Sequence, residues 1–203
     1  MFLVASEIPI LIDTGTALSP EECIGSLSKF VDLTDIERII LTHRHIDHVG
    51  GAKALSEVCD AVLYASRDEV PSLLSGDQVT TLASMSTKRM EKLDVEVIEY
   101  GEAIEIGQEK LKVIHTPGHT EGSISLYEES TKSLFSGDTV FANGGVGRWD
   151  FPTGNLDQLV DSVGKLSKIP VENLYPGHGP IVNGEAQFHI EASFRSLRVY
   201  KLI

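Results

Sequence analysis

The sequence predicts two β-sheets flanked by helices, folded as one α+β domain over residues 1–203. Three observations lead there. A chain of 203 residues with 41% hydrophobic and 23% charged side chains can bury a core without disulfide staples. Its first third alternates strand and helix signals in the manner of βαβ units. Its middle is rich in short strands, and two helical segments follow.

The elements read in order as follows. Apolar runs at Phe2–Val4 and Ile8–Ile12, separated by Ala5-Ser6-Glu7, form a hairpin or two successive strands, and the second stops at Asp13-Thr14-Gly15. Ser19-Pro20-Glu21-Glu22 supplies an N-cap Ser, a Pro at the first helical position and a Glu three residues after the cap. It opens a helix with Cys23, Ile24 and Leu27 inward. A strand at Arg38–Leu41 runs into a His-rich segment, after which Ala52–Cys59 is helical and Ala61–Ala65 extended. Residues 67–93 read as helical, with a mobile loop over 84–91. Strands follow at Val95–Tyr100, Ala103–Ile106, Lys110–Ile114, Ser123–Tyr127 and Ser133–Phe135, divided by turn residues such as Gly101 and Gly107. Asn155 caps a helix whose Leu156, Leu159, Val160, Val163 and Leu166 make one apolar stripe, and Gly184–Arg198 is a last helix.

Charge and composition exclude several function classes. The 17 basic and 30 acidic side chains leave a net charge of −13, with no basic run, so a nucleic-acid partner is not expected. No segment approaches the roughly 18 consecutive apolar residues of a membrane span, and the first ten residues lack the basic region and cleavage site of a signal peptide. The expectation is a cytoplasmic protein without a membrane partner. Cys23 and Cys59 are read as small apolar groups without chemistry.

The chemistry concentrates in histidines and aspartates placed after strands. His43-x-His45-x-Asp47-His48 puts three imidazoles and a carboxylate within six residues. Imidazole nitrogen with carboxylate oxygen suits zinc, iron or manganese, whereas calcium and magnesium want mostly oxygen. In a loop leaving a strand, His43 and His45 can converge on one ion while Asp47 and His48 turn towards a second position. Pro117-Gly118-His119, Ser136-Gly137-Asp138 and Pro176-Gly177-His178 offer further donors, each beside a Gly that lets the backbone turn sharply. His189 matches no such pattern and is read as structural.

These segments resemble, in order and over almost the whole chain, the five motifs of the metallo-β-lactamase superfamily: Asp13, Thr42 to His48, His119, Asp138 and His178. The resemblance implies the four-layer αββα sandwich. It also implies a first metal site of His43, His45 and His119, a second of Asp47, His48 and His178, and Asp138 bridging both ions, with Asp47 and Asp138 as the catalytic carboxylates. Two divalent ions are implied, zinc first, with iron or manganese as alternatives. Asp13 would orient the histidine segment from outside the ligand set, or else merely start a turn. His115 is similar to a non-ligand His of the family. Members often have one more leading strand than the 12 residues before Asp13 supply. A sheet edge exposed there could be covered by a second subunit, so a homodimer is an expectation.

Within the superfamily, Gly137-Asp138-Thr139 and Gly147-Arg148-Trp149-Asp150-Phe151 resemble the glyoxalase II-like group, without its helical C-terminal domain, since 25 residues follow His178. An Asp at the fourth motif sets β-lactam hydrolysis low. The implied reaction is hydrolysis of a small anionic thioester by a metal-bridging hydroxide, the ions polarising the carbonyl and stabilising the leaving thiolate. Two divalent ions, two aspartates and one hydroxide leave a local charge of about +1, which attracts an anionic acyl-thiol substrate even in an acidic chain. Arg148 would contact the substrate carboxylate, or brace Asp150 within its own loop, and Trp149 is read as packing. The alternative is a persulfide dioxygenase with one iron on His43, His45, His119 and Asp138.

Overall fold

In the first part of the chain, helical crossovers lay apolar strands side by side in parallel. The computed structural model describes residues 1–16 and 20–201, and they divide into two compact units: Met1–Glu99 with Glu105–Gln108, and Tyr100–Ile104 with the chain from Glu109 onward. The fold is mixed α/β with two sheets. The Ser19 cap expected from sequence lies outside the described residues.

The sheet of the first unit has the order β1-β2-β3-β4-β5. β1 (Phe2–Val4) pairs antiparallel with β2 (Ile10–Ile12), as a hairpin should. β2 starts two residues later than the apolar run because Ser6 Oγ donates to the Ile8 carbonyl at 2.7 Å and Pro9 has no N–H to give. β3 (Arg38–Leu41), β4 (Val62–Ser66) and β5 (Val95–Ile98) follow in parallel. Between them lie α1 (Pro20–Leu27), α2 (Ile46–Val49), α3 (Ala52–Cys59) and α4 (Val70–Ser75). Leu11, Ile39, Leu41, Leu55 and Leu73 make the core of this unit. β2 is apolar along its length, and β3 from Ile39 onward, because these residues are buried on both faces.

Two expectations need correction here. Residues 67–93 are not one helical stretch, since only Val70–Ser75 and a 3₁₀ turn at Ala83–Met85 are helical. Gly76, at φ 66°, ends α4, and polar side chains then take over the backbone. Asp77 Oδ1 accepts from the N–H groups of Val79 (2.6 Å) and Thr80 (3.0 Å), while the Gln78 amide bonds both N and O of Met90. The other correction concerns the His-rich segment, read as a loop. Its second half is the helical turn α2, with His45 at the N-cap and the Ile46 N–H on the Thr81 carbonyl at 2.8 Å.

The sheet of the second unit has the order β11-β10-β9-β8-β7-β6. β6 (Ala103–Glu105), β7 (Lys110–His115), β8 (Ile124–Glu128) and β9 (Ser133–Gly137) match the predicted strands to within two residues. β10 (Asn173–Pro176) is the strand expected before His178, whose bounds the sequence leaves open, and β11 (Val182–Asn183) was not expected. β10 is four residues ending in Pro, and its parallel pairing with β9, about forty residues away, makes it a strand. α5 (Leu156–Leu166) and α6 (Ala186–Tyr200) complete the unit. Asn155 Oδ1 caps α5 by accepting from the Gln158 N–H at 3.0 Å, and Leu159, Val160, Val163 and Leu166 are buried as the stripe predicts.

Strand direction decides which residues share an edge. In the first unit Ile12 lies opposite Ile40 in parallel strands, so Asp13 and Thr42-His43 leave neighbouring carboxyl ends. In the second unit β7 and β9 both run against β8, and β10 runs with β9, Pro176 opposite Gly137. The segments bearing His119, Asp138 and His178 therefore leave the carboxyl ends of β7, β9 and β10, where parallel αβ sheets place their ligands.

A buried ion pair pins the His-rich turn to its own unit. The Arg44 guanidinium, between His43 and His45 in sequence and 2% exposed, pairs through Nε with the fully buried Glu69 carboxylate. It also donates to the Asp68 carbonyl (2.6 Å) and Ser72 Oγ (3.0 Å). Glu69→Ala strands the guanidinium and lowers stability by about 3–5 kcal/mol. Urea unfolding of the variant measures this, and an unchanged midpoint would show that the pair holds nothing.

In the second unit Glu128 closes the β8–β9 turn. Burial pushes its carboxyl up, and hydrogen bonds from the side chains and N–H groups of Ser130 and Thr131 outweigh that, holding it below its ordinary 4.5. The unfolded chain then takes up the proton first, so this stabilisation is full above pH 4.5 and is lost as pH falls through the depressed value. Glu128→Gln should cost about 1 kcal/mol at pH 7. The gap in urea midpoint between the two proteins should close below pH 4.5, common losses cancelling in the difference; a gap independent of pH would contradict the assignment.

Candidate metal centre

The first unit gathers its donors around one carboxylate. Asp13, 3% exposed and at a left-handed φ of 55°, follows β2 directly. Its Oδ1 accepts from the Thr42 N–H at 2.7 Å, and its Oδ2 accepts from Thr42 Oγ1 and from His48 Nδ1, each at 2.8 Å. Thr42 Oγ1 also lies 3.1 Å from His43 Nδ1. Since the hydroxyl proton goes to Asp13, that contact requires His43 Nδ1–H as donor. A carboxylate likewise only accepts from His48 Nδ1. Both rings therefore carry a proton on Nδ1, and in their neutral form the lone pair is on Nε2.

The donors sit close together. The rings of His43 and His48 are 4.1 Å apart, and those of His43 and His45 meet edge to face at 4.8 Å. Donor atoms of His43 and His45, of His43 and His48, and of Asp47 and His48 lie within 4.8 Å of each other in each pair. His43, His45 and His48 are at most 4% exposed, while the Asp47 side chain is 41% exposed and its Oδ2 lies 3.8 Å from His48 Nε2. α2 explains why: its helical turn places Asp47 and His48 on a path different from the extended His43 and His45.

The second unit gathers its donors around Asp138. His119 Nε2 and His178 Nε2 each lie 3.4 Å from Asp138 Oδ2. His119 Nδ1 donates to the Arg148 carbonyl at 2.6 Å, so in its neutral form this ring too turns an Nε2 lone pair towards the carboxylate. At 3.4 Å, beyond the usual range of an N–H···O bond, a lone pair facing a carboxylate oxygen is repulsive unless a cation lies between them. Imidazoles fixed at Nδ1 and turned by Nε2 towards carboxylate oxygen are a donor set that fits zinc or iron, with the outer hydrogen bonds such ligands normally have.

Close backbone approach holds the His119 turn. A Cβ on Gly118 (φ 131°) would lie 2.3 Å from the Leu159 nitrogen, so only glycine lets this turn rest on α5. Its carbonyl accepts from the Asn155 N–H (2.8 Å), and Ser162 Oγ donates to the Pro117 carbonyl (2.7 Å). Gly147 is tighter still: a Cβ there would lie 2.0 Å from the Asp138 carbonyl oxygen and 2.9 Å from His119 Nδ1.

The remaining residues singled out in the sequence fall elsewhere. Arg148 forks onto Asp150, at 2.8 and 2.6 Å, which raises its pKa and lowers that of Asp150, and it stacks over Phe151 at 4.1 Å. Its guanidinium thus braces its own loop, and the Arg148 atom that reaches a candidate ligand is its main-chain oxygen. Trp149 packs against Tyr200, ring centres 5.6 Å apart. His115 stacks on Tyr100 and donates from Nε2 to the Glu121 carbonyl (3.0 Å). Sequence reasoning missed Thr42 and the Arg148 carbonyl. Thr42 carried a legible signal, a hydroxyl immediately before the His-rich segment; a carbonyl 29 residues from its partner carries none.

A family model described as the metallo-beta-lactamase superfamily matches residues 1–178. A probable metallo-hydrolase of Methanocaldococcus jannaschii is 37% identical over 192 residues, covering 89% of this chain and 87% of that protein. A hydroxyacylglutathione hydrolase of Francisella philomiragia is 34% identical over 145 residues, 70% of this chain and 49% of that one. Among solved structures, that of TTHA1623 in a di-iron-bound form superposes with a TM-score of 0.75 at 29% identity, covering 96% of this chain and 90% of the other. With a matched model reaching from the first strand through His178, and the fold and donor chemistry agreeing, the chain belongs to the metallo-β-lactamase superfamily.

Proposed function

We propose that the chain is a dinuclear thioester hydrolase acting on a small anionic acyl thiol. In this reading the two donor sets act together: His43, His45 and His119 hold one ion, Asp47, His48 and His178 the other, and Asp138 bridges them. The observation that carries it is the set of fixed Nδ1 protons on His43, His48 and His119, which presents three Nε2 lone pairs from buried rings. The similarity to a hydroxyacylglutathione hydrolase supports a thioester as the bond cleaved.

Two divalent ions would supply Lewis acidity and lower the pKa of a bound water towards neutrality. The residues do the rest. Asp13 fixes the Nδ1 protons and the orientation of His43 and His48, directly or through Thr42, and the Arg148 carbonyl does the same for His119. Asp47, exposed beside the buried rings with Oδ2 3.8 Å from His48 Nε2, would complete the second ion's ligands from the solvent side. No side-chain nucleophile is needed: Cys59 is buried with its thiol pKa raised by desolvation, and the half-buried Cys23 lies on α1, outside both donor sets.

The test begins with elemental analysis of protein purified without added metal, followed by assay against lactoylglutathione, an acyl-coenzyme A, nitrocefin and glutathione persulfide. About two ions per chain and hydrolysis of a thioester are expected. His119→Ala should lose at least one ion and slow turnover by about a thousandfold, the several kcal/mol a catalytic metal supplies. One iron per chain with oxygen uptake on the persulfide would replace this reading with a dioxygenase. Nitrocefin turnover without thioester turnover would replace it with a β-lactamase, and full metal content in His119→Ala would overturn the ligand assignment.

A further inference from the structure

α6 follows the second unit's last strand and contributes no candidate ligand, yet it touches one loop repeatedly. Residues 141–148 leave Asp138-Thr139, turn back through a 3₁₀ turn at Ala142–Gly144, and return to Gly147 and Arg148. The Val140–Val146 bridge and the bond from the Phe141 N–H to the Gly145 carbonyl (2.8 Å) close the loop on itself. At its tip Asn143 has a left-handed φ of 59°. Its N–H donates to His189 Nδ1 of α6 at 2.8 Å. One turn further along α6, the buried Ser193 Oγ donates to the Gly145 carbonyl at 2.9 Å, and Gly144 rests against Ala192. Tyr200 packs on Trp149 just past the loop.

What the loop holds makes this grip consequential. Its Arg148 carbonyl fixes the Nδ1 proton of His119, its Phe141 ring meets His178 edge-on at 5.9 Å, and Gly147 has no slack against Asp138 and His119. A shift at the tip cannot be absorbed before it reaches those side chains.

We propose that α6 is the clamp that sets this loop and that His189 is a positioning residue, acting through Asn143 and the Arg148 carbonyl on the metal affinity of His119. The proposal rests on His119 being a ligand. The chemistry is specific: Nδ1 of His189 must accept, so its ring is neutral with the proton on Nε2. An Asn side chain places its oxygen where Nδ1 stands and can accept the same bond, whereas the oxygen of Gln lies one methylene further out.

The experiment compares His189→Ala, His189→Asn and His189→Gln by amide hydrogen exchange over residues 141–148 and by zinc affinity in chelator competition. His189→Ala should exchange about tenfold faster at the loop, one lost hydrogen bond, and bind zinc about tenfold more weakly, the lower end for an outer-sphere partner. His189→Asn should restore both and His189→Gln neither. Ser193→Ala should quicken exchange in the same segment. Wild-type exchange in His189→Ala, or His189→Asn behaving as His189→Ala, overturns the clamp. Faster exchange with unchanged zinc affinity overturns the link to His119. Wild-type protein that binds no zinc defeats the metal reading instead, and the exchange measurement still decides the clamp.

Discussion

The organisation of the first unit depends on the Asp13 carboxylate and the three hydrogen bonds it accepts. Both oxygens are used, one on the Thr42 backbone and one shared between the Thr42 hydroxyl and His48. Asp13 therefore determines in one step where the segment after β3 begins, which proton Thr42 gives away, and so which nitrogen of His43 is protonated. The left-handed φ of 55° is the geometric cost of turning the carboxylate back across the ends of β2 and β3, a conformation that Asp tolerates better than most residues. Such strain persists because the neighbours over-determine it: the Asp13 N–H is held by Ile40 and the Thr14 N–H by the His48 carbonyl.

The second unit solves the same problem with main chain. His119 is fixed by a backbone carbonyl, and the positions of that carbonyl and of the ring are set by two glycines that admit no side chain, Gly118 and Gly147. A carboxylate support tolerates small movements because its charge attracts over distance, whereas a carbonyl must be put in place. The second unit accordingly commits α5 to the His119 turn and α6 to the return loop, and both helices lie over one apolar core that includes Leu159, Val163, Ile190 and Leu197.

Most of this fold was legible because its signals are local. The α5 stripe, the Asn155 cap and the strands from β5 to β9 are readable from neighbouring residues, and the structure places them within two residues of the reading. Failures came where distant partners decide. β10 is a strand because β9 is beside it, residues 67–93 are irregular because Asp77 and Gln78 capture backbone groups, and nothing near Arg44 in sequence points to Glu69 as its buried partner. The candidate ligands were readable as a motif pattern, but their outer supports were only half so. Asp13 stood in a motif, whereas the supporting role of Arg148 belongs to its carbonyl, an atom every residue has, and its guanidinium turns away to Asp150.

Proton position separates the histidines more sharply than burial or spacing does. His43, His48 and His119 have an acceptor at Nδ1, which in the neutral ring leaves the lone pair on Nε2. His115 donates from Nε2 to Glu121, and His189 accepts at Nδ1, so both carry the proton on Nε2 and have no lone pair there for a metal. The imidazoles are chemically identical in sequence, and His115 stands only four residues from His119. What makes one a candidate ligand and the other a turn residue is the group facing its second nitrogen, and that group is provided by strand register and by glycines elsewhere in the unit. A candidate ligand histidine is in this sense a property of the fold around it, and that is the ground on which His189 of α6, with no contact to a donor atom, is proposed to act on the centre.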